Sequence, residues 1–335
     1  MTIKTLENLW TAFAAGERDF AGINLAGADL HHWSLIKVDL WGADFTQANL
    51  TRASLRRANL KEAQFTGANL TEADLRWADL RDAILVGADL SEARLEGALY
   101  NLHTQFPQGF CPKQAGLWHL KPQANLAAKD LRDHDLSSTD LTRADLCGAL
   151  LINSQLFGAV LSGANLSSAL LGNCDLRYAD LSGATLMLAD LGQANLSYAD
   201  LRRANLIGAN LQGCQLTETN LQGAIYSDST QFPTGFQIPT SLYRIAPRAS
   251  LWGADLSETR LTGVDLRGAN LAGANLMYAD LWGACLANAD LSGANLLGAN
   301  LLGTDLAGAN LEHTNLLQAI IDLPSELETM LPMTS

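Results

Sequence analysis

Ala43-Asp44-Phe45-Thr46-Gln47-Ala48-Asn49-Leu50-Thr51-Arg52 states the rule of this chain twice in ten residues. A small residue is followed by Asp or Asn, then a large apolar residue, then two unconstrained positions. Working outward, the register of central Leu, Phe, Tyr or Ile residues holds from Phe20 to Tyr100, Leu126 to Tyr226 and Leu251 to Ile321, fifty-three units in all. A period of five makes no stripe on a helix of 3.6 residues per turn. On a plain strand an odd period would send successive central residues to opposite faces. A short extended piece and a turn in every unit keep them all on one side. Four such units close a square, so residue i stacks on residue i+20, and each unit buries its apolar side only against its neighbours.

Composition narrows the function classes. Apolar residues make up 48% of the 335, largely Ala and Leu of the repeat, and aromatics only 7%, so an exposed ring stands out. The net charge of -13 argues against direct binding to nucleic-acid phosphates or to an anionic membrane surface, and leaves an acidic surface for a basic partner. No stretch approaches the roughly 18 apolar residues of a membrane span, and no signal peptide is expected. The five cysteines contain no CxxC pair. Cys174 and Cys214 occupy the small-residue slot and read as buried thiols, which fits a reduced, cytoplasmic protein.

The motif A-(D/N)-L-x-x resembles that of the pentapeptide-repeat proteins, over roughly 265 of the residues counted by five-residue period. The resemblance implies an all-β fold, a right-handed quadrilateral β-helix with the small and central residues inside and the other three positions facing solvent. It corresponds to about 13 coils and a rod on the order of 60 Å at ~4.8 Å per coil. The narrow interior favours Ala, since a larger side chain would overpack. Trp33 and His134 stand in that slot, and local bulging is expected at both.

The chain is read as one elongated solenoid over 1–335. An N-terminal helical cap (1–16) precedes repeat blocks at 20–100, 126–226 and 249–321, with interruptions at 101–125 and 227–248 and a tail at 322–335. Leu6, Leu9, Trp10 and Phe13 have helical spacing, Gly16 is a stop signal, and an open β-helix end requires a cap. Leu323, Leu327, Met330 and Leu331 suit the tail to cap the other end.

Both interruptions carry one motif, Thr104-Gln105-Phe106-Pro107-Gln108-Gly109-Phe110 and Thr230-Gln231-Phe232-Pro233-Thr234-Gly235-Phe236, each after an A-(L/I)-Y ending. The offset of 126 points to duplication of a larger module, while central residues resume 26 residues after Tyr100 and 25 after Tyr226. Such loops resemble those of cyanobacterial family members. Phe106, Pro107, Phe110, Phe232, Pro233 and Phe236 are candidate partner-binding residues, or else anchors that pin the loops to the coil.

No phosphate loop, HExxH, GxSxG or EF-hand pattern occurs, so neither an enzyme nor a cofactor or metal site is expected. At intervals of 20, Met277, Leu297 and Leu317 form one outward column and Trp282 and Leu302 the next. They form a candidate self-association patch, or a seat for the tail. Tyr178 and Tyr198 also fall 20 apart. Arg52, Arg56, Arg57, Lys61, Arg76 and Arg81 surround Trp77, but Glu62, Glu72, Asp74, Asp79 and Asp82 are interleaved, which reads as a solvated ion-pair surface. Between Ala249 and Ile321 only Arg260 and Arg267 oppose seven acidic residues.

The favoured function is a non-enzymatic scaffold presenting loops and terminal faces to a protein partner, with a homodimer through the C-terminal coils as one form of contact. The alternative, which the resemblance supplies, is an acidic DNA mimic that binds a type II topoisomerase such as DNA gyrase.

Overall fold

The computed structural model describes residues 6–322, and the chain divides into two compact units, Met1–Ala124 and Asn125–Ser335. Both are β-helical solenoids with four units per turn. Parallel bridges link residues 20 apart, such as Asn49↔Asn69 in the first unit and Asn165↔Thr185 in the second. Most extended pieces are single rungs. Two-residue strands form only as β1 (Leu99–Tyr100) with β2 (Trp118–His119), β3 (Ile225–Tyr226) with β4 (Tyr243–Arg244), and β5 (Asn300–Leu301) with β6 (Ile320–Ile321), all parallel.

One five-residue unit explains the rest. The central N–H donates upward, as Leu50 to the Asn69 carbonyl at 2.7 Å, and the residue three positions on closes the turn, as Ala53 N–H donates to the Leu50 carbonyl at 2.9 Å. From Gly22 to Gln318 the second free position of the repeat turns has φ between 54 and 76°, except after Tyr100 and Tyr226, where the chain enters the interruptions. This left-handed region favours Gly, yet Arg52, Arg57 and Glu62 also adopt it. The Asp or Asn side chain fastens the same turn, as Asp44 Oδ1 accepts the Thr46 N–H at 2.9 Å. Between coils Asn stacks on Asp and donates to it, as Asn59 Nδ2 to Asp39 Oδ1 at 2.9 Å, which separates like charges.

Inside, Leu50, Leu166 and Leu276 are fully buried, each contributing roughly 1.5–3 kcal/mol before entropy. Polar residues in the small slot find a partner one coil below. Ser154 Oγ donates to the Leu131 carbonyl at 2.7 Å, Cys174 Sγ to Leu151 at 2.8 Å, and Thr219 Oγ1 to Leu196 at 2.8 Å. Burial pushes the Cys174 and Cys214 thiols up to about 12. The ladder runs unbroken past both oversized residues, with rungs Ser34↔Ser54 beside Trp33 and Asp135↔Gln155 beside His134. Trp33 stays half-buried and meets Trp10 edge-on at 5.6 Å, while His134 is buried with its Nδ1 3.1 Å from the Arg132 carbonyl.

Helix α1 spans Leu6–Ala14, with Leu9 buried in the first unit's core cluster and Phe13 packed on it. Its end is closed by Gly16 N–H to Phe13 O and Glu17 N–H to Ala12 O, both 3.0 Å, with Gly16 at φ 97°. The capping tail expected from Leu323, Leu327, Met330 and Leu331 lies outside the described residues.

The basic cluster differs from expectation at one point. Arg52 pairs with Glu72 at 2.8 Å on the surface and Arg76 with Asp74 at 2.5 Å half-buried, but Arg81 and Asp79 form a buried ion pair rather than a solvated one.

Candidate protein-contact surfaces

The two motif loops have the same internal construction. Thr104 Oγ1 donates to the Leu80 carbonyl at 2.9 Å and accepts the Asn101 N–H at 3.2 Å. Thr230 Oγ1 does the same with Leu206 at 2.7 Å and Ser227 at 3.1 Å. The adjacent Gln keeps the ladder alive inside each interruption, through the rungs Ile84↔Gln105 and Asn210↔Gln231. The chain therefore leaves the coil later than the lost register suggests. Beyond Gln the Pro carbonyl caps a tight turn, accepting the Phe110 N–H at Pro107 over 3.1 Å and the Phe236 N–H at Pro233 over 3.0 Å.

The rings pack on one another and on the tyrosine that precedes each loop. Tyr100 meets Phe106 edge-on at 5.6 Å and Phe106 stacks on Phe110 at 5.1 Å. Tyr226, Phe232 and Phe236 repeat this at 5.6 and 5.3 Å. All four Phe and both Pro are half-buried. What the loops show solvent instead is Leu102, 76% exposed, and Ile238, 43% exposed. Neither belongs to the repeated motif, so no signal in the sequence singles them out.

The loops differ after the rings. His119 stacks on Tyr100 at 4.4 Å, and burial, with a smaller contribution from Lys121, holds its imidazole below the usual range. In the second loop Arg244 stands in that place and pairs with Asp228 at 2.6 Å, which holds the Asp228 carboxyl below its usual value.

On the last block the ladder stacks Met277, Leu297 and Leu317 through Glu258 N–H to Met277 O, Tyr278 N–H to Leu297 O and Gly298 N–H to Leu317 O. Gly263 N–H to Trp282 O and Gly283 N–H to Leu302 O set the neighbouring column. Trp282 and Leu317 are exposed, whereas Met277, Leu297 and Leu302 are half-buried. Exposed Tyr278 joins them, although as the next residue in its turn it falls outside the columns read from the sequence. Its ring lies over Gly298, where a Cβ would come within 2.4 Å. A second exposed aromatic column stands in block two, Tyr178 on Tyr198 at 5.0 Å, with Phe157 edge-on at 5.4 Å. Among the described residues there is no group of three or more His, Cys, Asp or Glu that could hold a metal ion, and no helix long and apolar enough to cross a membrane.

A four-sided solenoid of five-residue units, with its distinctive side chains on loops and outward columns, is a repeat protein. The chain belongs to the pentapeptide-repeat family, whose repeats match in eight copies over residues 23–61, 58–97, 154–193, 186–223, 248–283 and 284–320. Among solved structures it is similar to alr5209, a pentapeptide repeat protein from Nostoc PCC 7120. That likeness has 39% identity and a TM-score of 0.35, over 36% of this chain and 98% of that one. It is also similar to HetL from Nostoc sp. strain PCC 7120, a pentapeptide repeat protein involved in heterocyst differentiation regulation. There the identity is 30% and the TM-score 0.24, over 95% of this chain and 97% of that one. The fluoroquinolone resistance protein QnrB1 is 18% identical over 63% of this chain and 94% of its own, with a TM-score of 0.29. No protein of curated function matches.

Proposed function

We propose that the protein is a non-enzymatic protein-protein interaction scaffold. The observation that carries this reading is the placement of exposed Trp282, Tyr278 and Leu317 on outward columns that the backbone ladder holds rigidly. Exposed apolar side chains so arranged lose little conformational freedom when a partner covers them. Self-association through the last coils is the specific form we favour, with Met277, Leu297 and Leu302 at the patch centre and Trp282 and Leu317 at its rim. The motif loops supply a second contact surface through Leu102 and Ile238, with Phe106, Pro107, Phe110, Phe232, Pro233 and Phe236 as its anchors. We further take the coil as right-handed, α1 as the cap of its first turn, and the reducing cytoplasm, suited to five free cysteines, as its compartment.

Light scattering on the native chain and on Leu297→Asp/Leu317→Asp tests the patch. A native dimer converted to a folded monomer supports self-association, and a native monomer sinks it. The acidic DNA-mimic reading is weaker, because Arg132, Arg177, Arg202 and Arg267 each neutralise the Asp two residues before them and interrupt any column of charge. A supercoiling assay with gyrase and a quinolone separates the readings, since only a mimic shifts it.

A further inference from the structure

The second interruption leaves the first turn of the third block without a complete turn beneath it. In a regular coil the lower edge offers the carbonyls of the Asx residue and of the first free position to backbone N–H groups below, as Asn270 O accepts Leu251 N–H and Ala272 O accepts Gly253 N–H. At the third block's lower edge side chains take the place of that backbone. Asn205 Nδ2 donates to the Arg260 carbonyl at 2.7 Å, and Arg203 Nη2 donates to the Ser257 carbonyl at 2.8 Å and to its hydroxyl. These pairs are 55 and 54 residues apart, not 20. Asn205 and Ser257 are both buried.

The apolar end of the same block is closed in a similar way. Ile225 occupies an Asx slot, points outward from its own coil, and is fully buried as a member of the third block's core cluster, with Ile207 packed on that cluster. Burial of apolar surface is non-directional, whereas hydrogen bonds constrain angles. We propose that the second interruption is a lockable joint. Ile225 and Ile207 form the socket that keeps the third block attached, and Arg203 and Asn205 form the lock that fixes its direction. Loss of the side-chain bonds from Arg203 and Asn205 frees the third block to swing about the socket, and the Arg203–Asp255 ion pair, 3.6 Å apart and half-exposed, makes the lock sensitive to salt.

The test is a distance distribution by pulsed electron resonance between spin labels at Gln193→Cys and Glu312→Cys, in the full chain with Cys111, Cys147 and Cys285 replaced by Ser. Hydrogen exchange is measured in parallel. The parent is expected to give one narrow peak. In Arg203→Ala/Asn205→Ala that peak is expected to be lost to a broad distribution, with ladder amides of both blocks still protected. An unchanged narrow peak overturns the lock. Loss of protection throughout the third block also overturns it, because the two residues would then be part of the coil and not a joint. Asn205→Asp alone, which keeps size and removes the donor, carries the same readout with a smaller broadening should the double variant fail to fold.

Discussion

The two motif loops hold the same ring triad and the same threonine bond, yet rejoin the coil differently. The first rejoins with Leu99 opposite Trp118, the second with Ile225 opposite Tyr243, one residue sooner. The difference teaches that T-Q-F-P-x-G-F is an anchoring device that works the same way ahead of two dissimilar return segments. The residues after the rings set each loop's individual chemistry, a half-buried His119 in one and the Arg244–Asp228 pair in the other.

The comparison predicts equal losses where the loops agree. Leu99→Ala and Ile225→Ala each remove a fully buried side chain and are expected to cost about 2–5 kcal/mol in denaturant unfolding. A cost confined to one of them would break the equivalence. Smaller and again matched effects, about 1 kcal/mol each, are expected for Thr104→Val and Thr230→Val, which remove one hydroxyl donor apiece. Amide exchange at Gln105 and Gln231 should rise in the respective variants.

The smallest effect separates the loops. Burial lowers the His119 pKa on folding, so the neutral ring is the folded form. Its contribution is fully present above the unfolded value near 6.5 and is lost as pH falls through the lower folded value. Amide exchange over residues 99–120 should therefore quicken as pH falls below the unfolded value near 6.5, while residues 225–245 should not respond there. Arg244 does not titrate in that range, and Asp228, held low by Arg244, lets go only below its unfolded value of 3.8. His119→Phe should abolish the first response, and equal responses in both loops would remove the distinction.

Much of this was legible because a period of five admits one construction. The inward Leu and Ala, the buried thiols of Cys174 and Cys214, the stacked Tyr178 and Tyr198 and the duplicated loops all come from position in the register. Trp33 and His134 were expected to disturb it and do not. Beside Trp33 the ring turns toward Trp10, and beside His134 a local carbonyl takes the ring nitrogen. The motif phenylalanines read equally as partner-binding residues or as anchors, and the structure packs Phe106 on Tyr100 and Phe232 on Tyr226, with Phe110 and Phe236 stacked behind them. Aromatic type reveals an anchor but not the side it faces.

The sequence by itself determined the four-sided coil, its inward residues and the places where it is broken, because every unit repeats the same short-range hydrogen bonds. Tertiary structure alone decided what happens at the breaks. Asn205 meets Arg260 across 55 residues, and Ile225 joins the core of another block. A five-residue period carries no information about contacts of that kind.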